Sequence, residues 1–149
     1  MKERGFIIAL SGCVLTLLLA VGASAQLPGA PLRANIPFDF SVRGKTLPAG
    51  EYEFRRITDD PSSLEVLNIH QNHEHTLFNT DPVEKGKIAR RGEIVFHRYG
   101  DTYFLYEVWT AGLETGRELP ISKQERFLRS EMASNTVRSQ PETVSIAVY

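Results

Sequence analysis

The chain has 149 residues, one cysteine and a formal net charge of −1 at neutral pH. This near-neutral charge excludes the strongly basic character with which many proteins bind nucleic acid or anionic lipid. The single cysteine excludes an intramolecular disulfide and any C-x-x-C redox or metal motif.

The first 25 residues predict a cleavable secretory signal peptide. Lys2 and Arg4 form a positive segment, residues 6–21 are almost wholly apolar, and residues 23–25 (Ala-Ser-Ala) are the small residues that precede a cleavage point. The mature chain then starts at Gln26 and has no cysteine. We expect a protein exported to the periplasm or the extracellular space, without a membrane span after cleavage. The lack of disulfides favours a bacterial origin, because small exported eukaryotic domains more often carry them.

Residues 10–13 (Leu-Ser-Gly-Cys) provide an alternative, a lipoprotein signal in which Cys13 is acylated after cleavage. Only residues 6–10 would serve as its apolar segment, and the more apolar part follows Cys13. A third alternative keeps the apolar run as an N-terminal anchor, although it is short for a membrane span.

After the leader, residues 26–33 are rich in Pro and Gly and predict a flexible lead-in, and residues 34–149 predict one β-rich domain. Residues 34–42 alternate with a period of two, which favours a half-buried strand. Pro37 lacks an N–H, so we expect that strand at a sheet edge or with a bulge. Residues 46–54 predict a Pro-Gly turn that leads into a strand with inward-facing aromatic side chains.

Further along, residues 64–70 and 76–80 predict a hairpin with a polar tip, and residues 81–91 predict a loop with one poor strand at most. Residues 93–98 and 102–110 make the clearest hairpin. Its second arm is apolar on both faces, which predicts a central strand covered on each side. Strict alternation divides these side chains between the two faces: Tyr103, Leu105 and Trp109 on one, and Phe104, Tyr106 and Val108 on the other.

Near the C-terminus, Ser122 and Glu125 have capping-box spacing, which predicts a helix from Ser122 to about Ala133. Residues 143–149 alternate and predict a final strand. The whole pattern predicts an all-β fold, an antiparallel β-sandwich or small β-barrel of seven or eight strands with one short C-terminal helix.

Three pieces of the chain are similar to a known group of sequences. Residues 34–40 (ANIPFDF), 44–52 (GKTLPAGEY) and 118–120 (ELP) occur in that order. Together they resemble a group of short exported bacterial proteins with an ANIPFDF…GKTLPAGEY opening and no assigned activity. The resemblance implies export and a β-rich domain, and it brings no catalytic residues to this chain.

Two sets of residues are candidate sites. His70, His73 and His75 predict a zinc or copper site if a strand aligns their imidazoles, and the alternative is a polar hairpin tip that contains histidines. Tyr103 and Trp109 are candidates to line a pocket for a sugar or an apolar ligand, and the alternative is that they belong to the core.

The sequence contains no G-x-S-x-G, S-x-x-K, P-loop or C-x-x-C motif. We therefore predict no catalytic residue and no cofactor, and the leading hypothesis is an exported non-enzymatic binding or interaction module of the bacterial periplasm or cell envelope. Its expected partner is an envelope protein or a glycan, with no nucleic acid. One alternative is a metal-binding protein or metal-dependent enzyme that uses His70, His73 and His75. Another is a structural envelope protein without a small ligand.

Overall fold

The computed structural model describes residues 29–71, 75–135 and 140–149. The predicted signal peptide, the Cys13 alternative and His73 lie outside the described residues. Within them the chain forms eleven strands and one helix. These are, in chain order, β1 (Leu32–Ile36), β2 (Phe40–Val42), β3 (Lys45–Leu47), β4 (Gly50–Arg56), β5 (Ser63–Asn68), β6 (His75–Asn79), β7 (Asp81–Glu84), β8 (Glu93–Tyr99), β9 (Thr102–Trp109), β10 (Thr115–Glu118), α1 (Lys123–Asn135) and β11 (Glu142–Ala147).

The strands form two sheets. Sheet 1 is antiparallel and has the order β1-β4-β5-β6. Sheet 2 has the order β11-β8-β9-β10-β7, and β2 pairs in parallel with the first half of β9 while β3 pairs with β2. The prediction of an all-β fold with one short helix is confirmed, and the two separate strand orders correspond to the sandwich. The expected seven or eight strands were too few, because β2, β3, β7 and β10 have only three or four residues each.

The strand predicted over residues 34–42 is divided in two at Pro37. β1 ends at Ile36 and pairs in sheet 1, whereas β2 begins at Phe40 and pairs in sheet 2. Pro37 donates no ladder hydrogen bond, so the chain leaves the first sheet at this residue. Between the two strands, Phe38 stacks on Tyr103 with ring centroids 3.8 Å apart. The chain therefore passes from one sheet to the other through an aromatic contact.

The hydrophobic core lies between the two sheets. Phe40 is fully buried and contacts Tyr52 of sheet 1 and Phe96 of sheet 2, both edge to face, at centroid distances of 5.0 and 5.4 Å. The Tyr52 hydroxyl donates a hydrogen bond of 2.6 Å to the Pro48 carbonyl, so its polar end is satisfied at the border of the core. These contacts confirm the inward aromatic side chain that the Pro-Gly turn predicted.

A β-bulge interrupts the pairing of β8 with β9. Val95 pairs with Glu107, but the next residue of β8, Phe96, pairs with Leu105, which leaves Tyr106 as an extra residue on β9. A bulge of this kind places two residues opposite one and changes which face the following side chains occupy. The face that each aromatic residue of β9 occupies therefore depends on its position relative to Tyr106.

The bulge overturns one expected grouping. Tyr103 and Leu105 face the core together, as predicted, and so does Val108 beyond the bulge. Trp109 lies instead on the outer face of sheet 2, beside Gly116 of β10. The strict alternation that grouped Trp109 with Tyr103 and Leu105 was wrong, because the extra residue shifts the phase by one.

Candidate functional site

An apolar cleft opens at one end of the sandwich, between the end of β4 and the start of β5 in sheet 1 and the end of β9 and the start of β10 in sheet 2. Its volume is about 250 Å³. Its apolar wall comes from side chains of both sheets and of the turn after β9, namely Leu32, Phe54, Leu64, Val108 and Leu113. We call this the end cleft. Its apolar wall is continuous with the hydrophobic core, because four of those five side chains belong to the core.

Charged side chains surround the end cleft. Arg55, Arg56, Arg117 and Glu114 line it. The Arg55 guanidinium donates a hydrogen bond of 2.6 Å to Glu65, and that bond raises the pKa of Arg55 above its usual value. Within the described part of the chain, Arg56 and Arg117 have neither an ion pair nor a side-chain hydrogen bond. Two of the three cations at the cleft are therefore not neutralised by a bonded carboxylate there.

Arg56 and Arg117 come from opposite walls. Arg56 is the last residue of β4 and pairs with Leu64 of β5, which lines the cleft. Arg117 belongs to β10 and pairs with Val108 of β9, another lining residue. The Asp60 carboxylate interacts electrostatically with Arg117. Its pKa is lowered mainly by hydrogen bonds from Ser62 and only slightly by Arg117.

A second group of ionisable residues lies beneath the helix, on the outer face of sheet 2. The Ser122 side chain accepts a hydrogen bond of 3.1 Å from the backbone N–H of Glu125, as the capping-box spacing predicted. The Glu125 carboxylate turns towards β8, where Oε1 lies 2.7 Å from Nδ1 of His97 and accepts a hydrogen bond of 3.3 Å from the Tyr99 hydroxyl. We call His97, Tyr99 and Glu125 the His97–Glu125 cluster.

The His97–Glu125 cluster is closed to solvent. His97, Tyr99 and Glu125 expose only 8, 5 and 4% of their surface, so each polar group depends on its partners in the cluster. The bulge residue Tyr106 stacks on the His97 ring at a centroid distance of 3.7 Å. Burial and the nearby negative charge of Glu125 raise the pKa of Tyr99 to about 12.

Two more carboxylates lie near the cluster. Glu118 of β10 pairs with Glu107 of β9, and both side chains lie on the outer face of sheet 2. Burial, followed by the charges of Glu107 and Asp81, raises the pKa of Glu118, and His97 opposes that shift. This arrangement stabilises the protonated form of Glu118. The cluster and these carboxylates escaped the sequence analysis, since the His97–Glu125 contact joins residues 28 positions apart.

The histidines predicted to bind metal are only partly described. His70 is exposed, and its Nε2 lies 2.9 Å from Glu51. Hydrogen bonds from Tyr149 and from His70 lower the pKa of Glu51, Tyr149 having the larger effect. His75 is exposed at the start of β6, and His73 lies outside the described residues. Among the described residues no three His, Cys, Asp or Glu side chains form a metal-binding group, and the three-histidine site stays a prediction.

The two aromatic residues predicted to bind a ligand lie on opposite faces of β9. Tyr103 is half-buried and stacked on Phe38. Trp109 is fully buried, its Nε1–H donates a hydrogen bond of 2.7 Å to Glu107, and Lys85 Nζ lies 4.1 Å from its ring centroid. The structure therefore does not bring them together in one pocket, and their role in binding stays a prediction.

The described residues include no helix that is both long and apolar enough to cross a bilayer. Comparison of the chain with family models, with curated proteins and with solved structures finds no match. The resemblance to short exported bacterial proteins therefore stays a prediction. The fold class is established as a β-sandwich, and the end cleft is a concave feature that combines an apolar wall with charged side chains.

Proposed function

We propose that this protein is an exported, non-enzymatic binding module of the bacterial periplasm or cell envelope, and that its small ligand occupies the end cleft. The observation that carries the proposal is the cleft itself, a concavity with an apolar wall and a few charged groups at its margin. Small-molecule sites commonly combine an apolar lining with a small number of placed polar groups.

The size of the end cleft limits the ligand. A volume of about 250 Å³ corresponds to roughly eight water molecules at about 30 Å³ each. A ligand of about ten heavy atoms, part of it in solvent, therefore fills the cleft. At about 0.3–0.5 kcal/mol for each heavy atom, its Kd falls between about 0.2 and 6 mM. An affinity in this range suits a module that samples an abundant ligand.

The binding test begins with the full chain, expressed in an exporting bacterial host and purified from the exported fraction. Mass spectrometry of its N-terminus is expected to give a start at Gln26. An acylated Cys13 would make the protein membrane-tethered, and an intact Met1 would indicate the retained N-terminal anchor instead of a cleaved signal peptide. The exported protein is then titrated with 1-octanol and with octanoate, and the backbone amide NMR signals are followed. We expect shifts concentrated at Leu32, Leu64 and Leu113.

A pair of leucine variants makes the test specific. Leu113 is partly exposed and lines the end cleft, so Leu113→Trp fills it with a larger side chain at small cost to folding. Leu77 is also exposed but lies on β6, which contributes no residue to the end cleft, so Leu77→Trp is the matched control. We expect the first variant to weaken octanoate binding at least about tenfold, equivalent to about 1.4 kcal/mol, and the second to leave it unchanged. The proposal fails if neither probe binds or if both variants behave alike.

A further inference from the structure

We infer that the ligand of the end cleft is a short apolar chain that ends in a single carboxylate, which Arg56 and Arg117 bind at the cleft margin. This inference rests on the proposed function and names its ligand class. It starts from the charge that lines the cleft. Arg55 is paired with Glu65, which leaves Arg56 and Arg117 without a bonded carboxylate among the described residues, while Glu114 also lines the cleft and the Asp60 carboxylate interacts with Arg117 from outside the lining.

With Asp60 counted beside Glu114, the charges of the two arginines at the cleft margin are balanced. A ligand with a single carboxylate can bond the two guanidinium groups, whereas a dianionic phosphate adds a larger excess of negative charge beside Glu114 and Asp60. A neutral ligand leaves the two guanidinium groups without an anion. The charge at the cleft therefore favours a monoanion, and a carboxylate is the monoanion that a guanidinium fork binds with two parallel hydrogen bonds.

The positions of the two arginines fix the direction of the ligand. Arg56 ends a strand of sheet 1 and Arg117 lies in a strand of sheet 2, so a carboxylate between them sits at the mouth of the sandwich. Each arginine pairs across its sheet with a side chain of the apolar wall, Leu64 or Val108. The apolar chain of the ligand then runs inward along that wall. Apolar burial and charge pairing act on different ends of the same molecule.

The experiment compares two probes of the same chain length, octanoate and 1-octanol, and adds octyl phosphate as the dianion. Calorimetric titration of the exported protein is expected to show octanoate binding about tenfold more tightly than 1-octanol, because a charge-assisted hydrogen bond is stronger than a neutral one. Octyl phosphate is expected to bind no more tightly than octanoate. High ionic strength is expected to weaken octanoate binding and to leave 1-octanol binding unchanged.

Three arginine variants locate the effect. Arg56→Gln and Arg117→Gln are each expected to reduce the preference for octanoate over 1-octanol about three- to tenfold, with unchanged 1-octanol binding. Arg33→Gln is the control, because Arg33 is an exposed arginine that bonds Glu53 on β4 and does not line the cleft. If Arg117→Gln fails to fold, judged by its thermal transition, Arg56→Gln and the salt dependence decide the question.

The outcomes separate the two proposals. If octanoate and 1-octanol bind equally and the arginine variants change nothing, the inference that the ligand carries a carboxylate is wrong, while the proposal of an apolar binding cleft stands. If octyl phosphate binds more tightly than octanoate, the inference of a monoanionic ligand is wrong, and a phosphate ligand is indicated. If neither octanoate nor 1-octanol binds, the proposed function itself fails.

Discussion

The end cleft and the His97–Glu125 cluster both contain ionisable side chains at the border of the packed interior, but these side chains differ in their hydrogen-bond partners. Beneath α1, the Glu125 carboxylate accepts from Tyr99 and bonds His97, and all three groups are buried. At the end cleft, Arg56 and Arg117 have no bonded carboxylate among the described residues. The first arrangement is complete within the protein, whereas the second leaves two guanidinium groups for the proposed ligand.

This difference separates stability from binding. A buried polar group that loses its partner carries the full cost of its desolvation, so the cluster holds the helix against sheet 2. A cation at an open margin keeps its water, so the protein folds without a counter-ion at that position. We therefore expect substitutions in the cluster to change stability and to leave ligand binding intact, and the opposite for Arg56 and Arg117.

The largest expected effect comes from Glu125→Ala. The substitution leaves Nδ1 of His97 and the Tyr99 hydroxyl buried without their acceptor, and we expect the free energy of unfolding to fall by about 2–4 kcal/mol. Urea denaturation measures it. Glu131→Ala, at an exposed position of the same helix, is the control and should change the free energy by less than about 0.5 kcal/mol. Equal effects of the two variants would contradict a docking role for Glu125.

A slightly smaller effect is expected from Gly116→Ala, on the same face of sheet 2. A Cβ at this position would lie 2.6 Å from the Trp109 ring, and Trp109 is fully buried. The ring or the strand has to move, which costs about 1–3 kcal/mol in the free energy of unfolding. Thermal and urea denaturation measure it. In a Trp109→Phe background the same glycine substitution should cost less, and an equal cost in both backgrounds would assign the effect to the backbone instead.

The pH dependence of stability sharpens the comparison further. The folded-state pKa of Tyr99 is about 12 against an ordinary value of 10.0. Between these values the unfolded chain loses the phenolic proton while the folded protein keeps it. The contribution of Tyr99 to the free energy of unfolding is therefore fully present below about pH 10 and is lost as the pH rises towards 12. At about pH 11 the expected loss is about 1.4 kcal/mol. Tyr99→Phe should lack this component in urea denaturation, and parallel pH profiles for both proteins would contradict it.

The sequence predicted what depends on local pattern. The alternation and turns of the chain gave the β fold, and the spacing of Ser122 and Glu125 gave the start of α1. What escaped prediction depends on pairing between distant segments. The bulge at Tyr106 arises from the register of β8 against β9, and it moved Trp109 to the other face. The partners of the Glu125 carboxylate, His97 and Tyr99, lie on β8 rather than in its own helix turn.

The end cleft had no signal in the sequence for the same reason. Arg56 and Arg117 belong to different sheets, and only the stacking of the two sheets brings them to one opening. In the sequence, each arginine alone indicates only a charged side chain exposed to solvent near the end of a strand. The sequence pattern assigns the apolar side chains of the cleft to the core, and four of the five do belong to it. A cleft made from the open edge of a core therefore becomes visible only when the sheets are assembled.

The smallest expected effect lies on the exposed face of sheet 1. The Arg33 guanidinium donates hydrogen bonds of 3.1 and 3.0 Å to Glu53, and the Arg33 side chain is 54% exposed. Because solvent screens such a pair, Arg33→Gln should lower the free energy of unfolding by less than about 0.5 kcal/mol, as urea denaturation measures it. Glu125→Gln provides the comparison, since it also removes one charge but from a buried hydrogen-bonded group. A loss at Arg33 as large as the loss at Glu125 would show that burial does not separate the two kinds of side-chain contact in this protein.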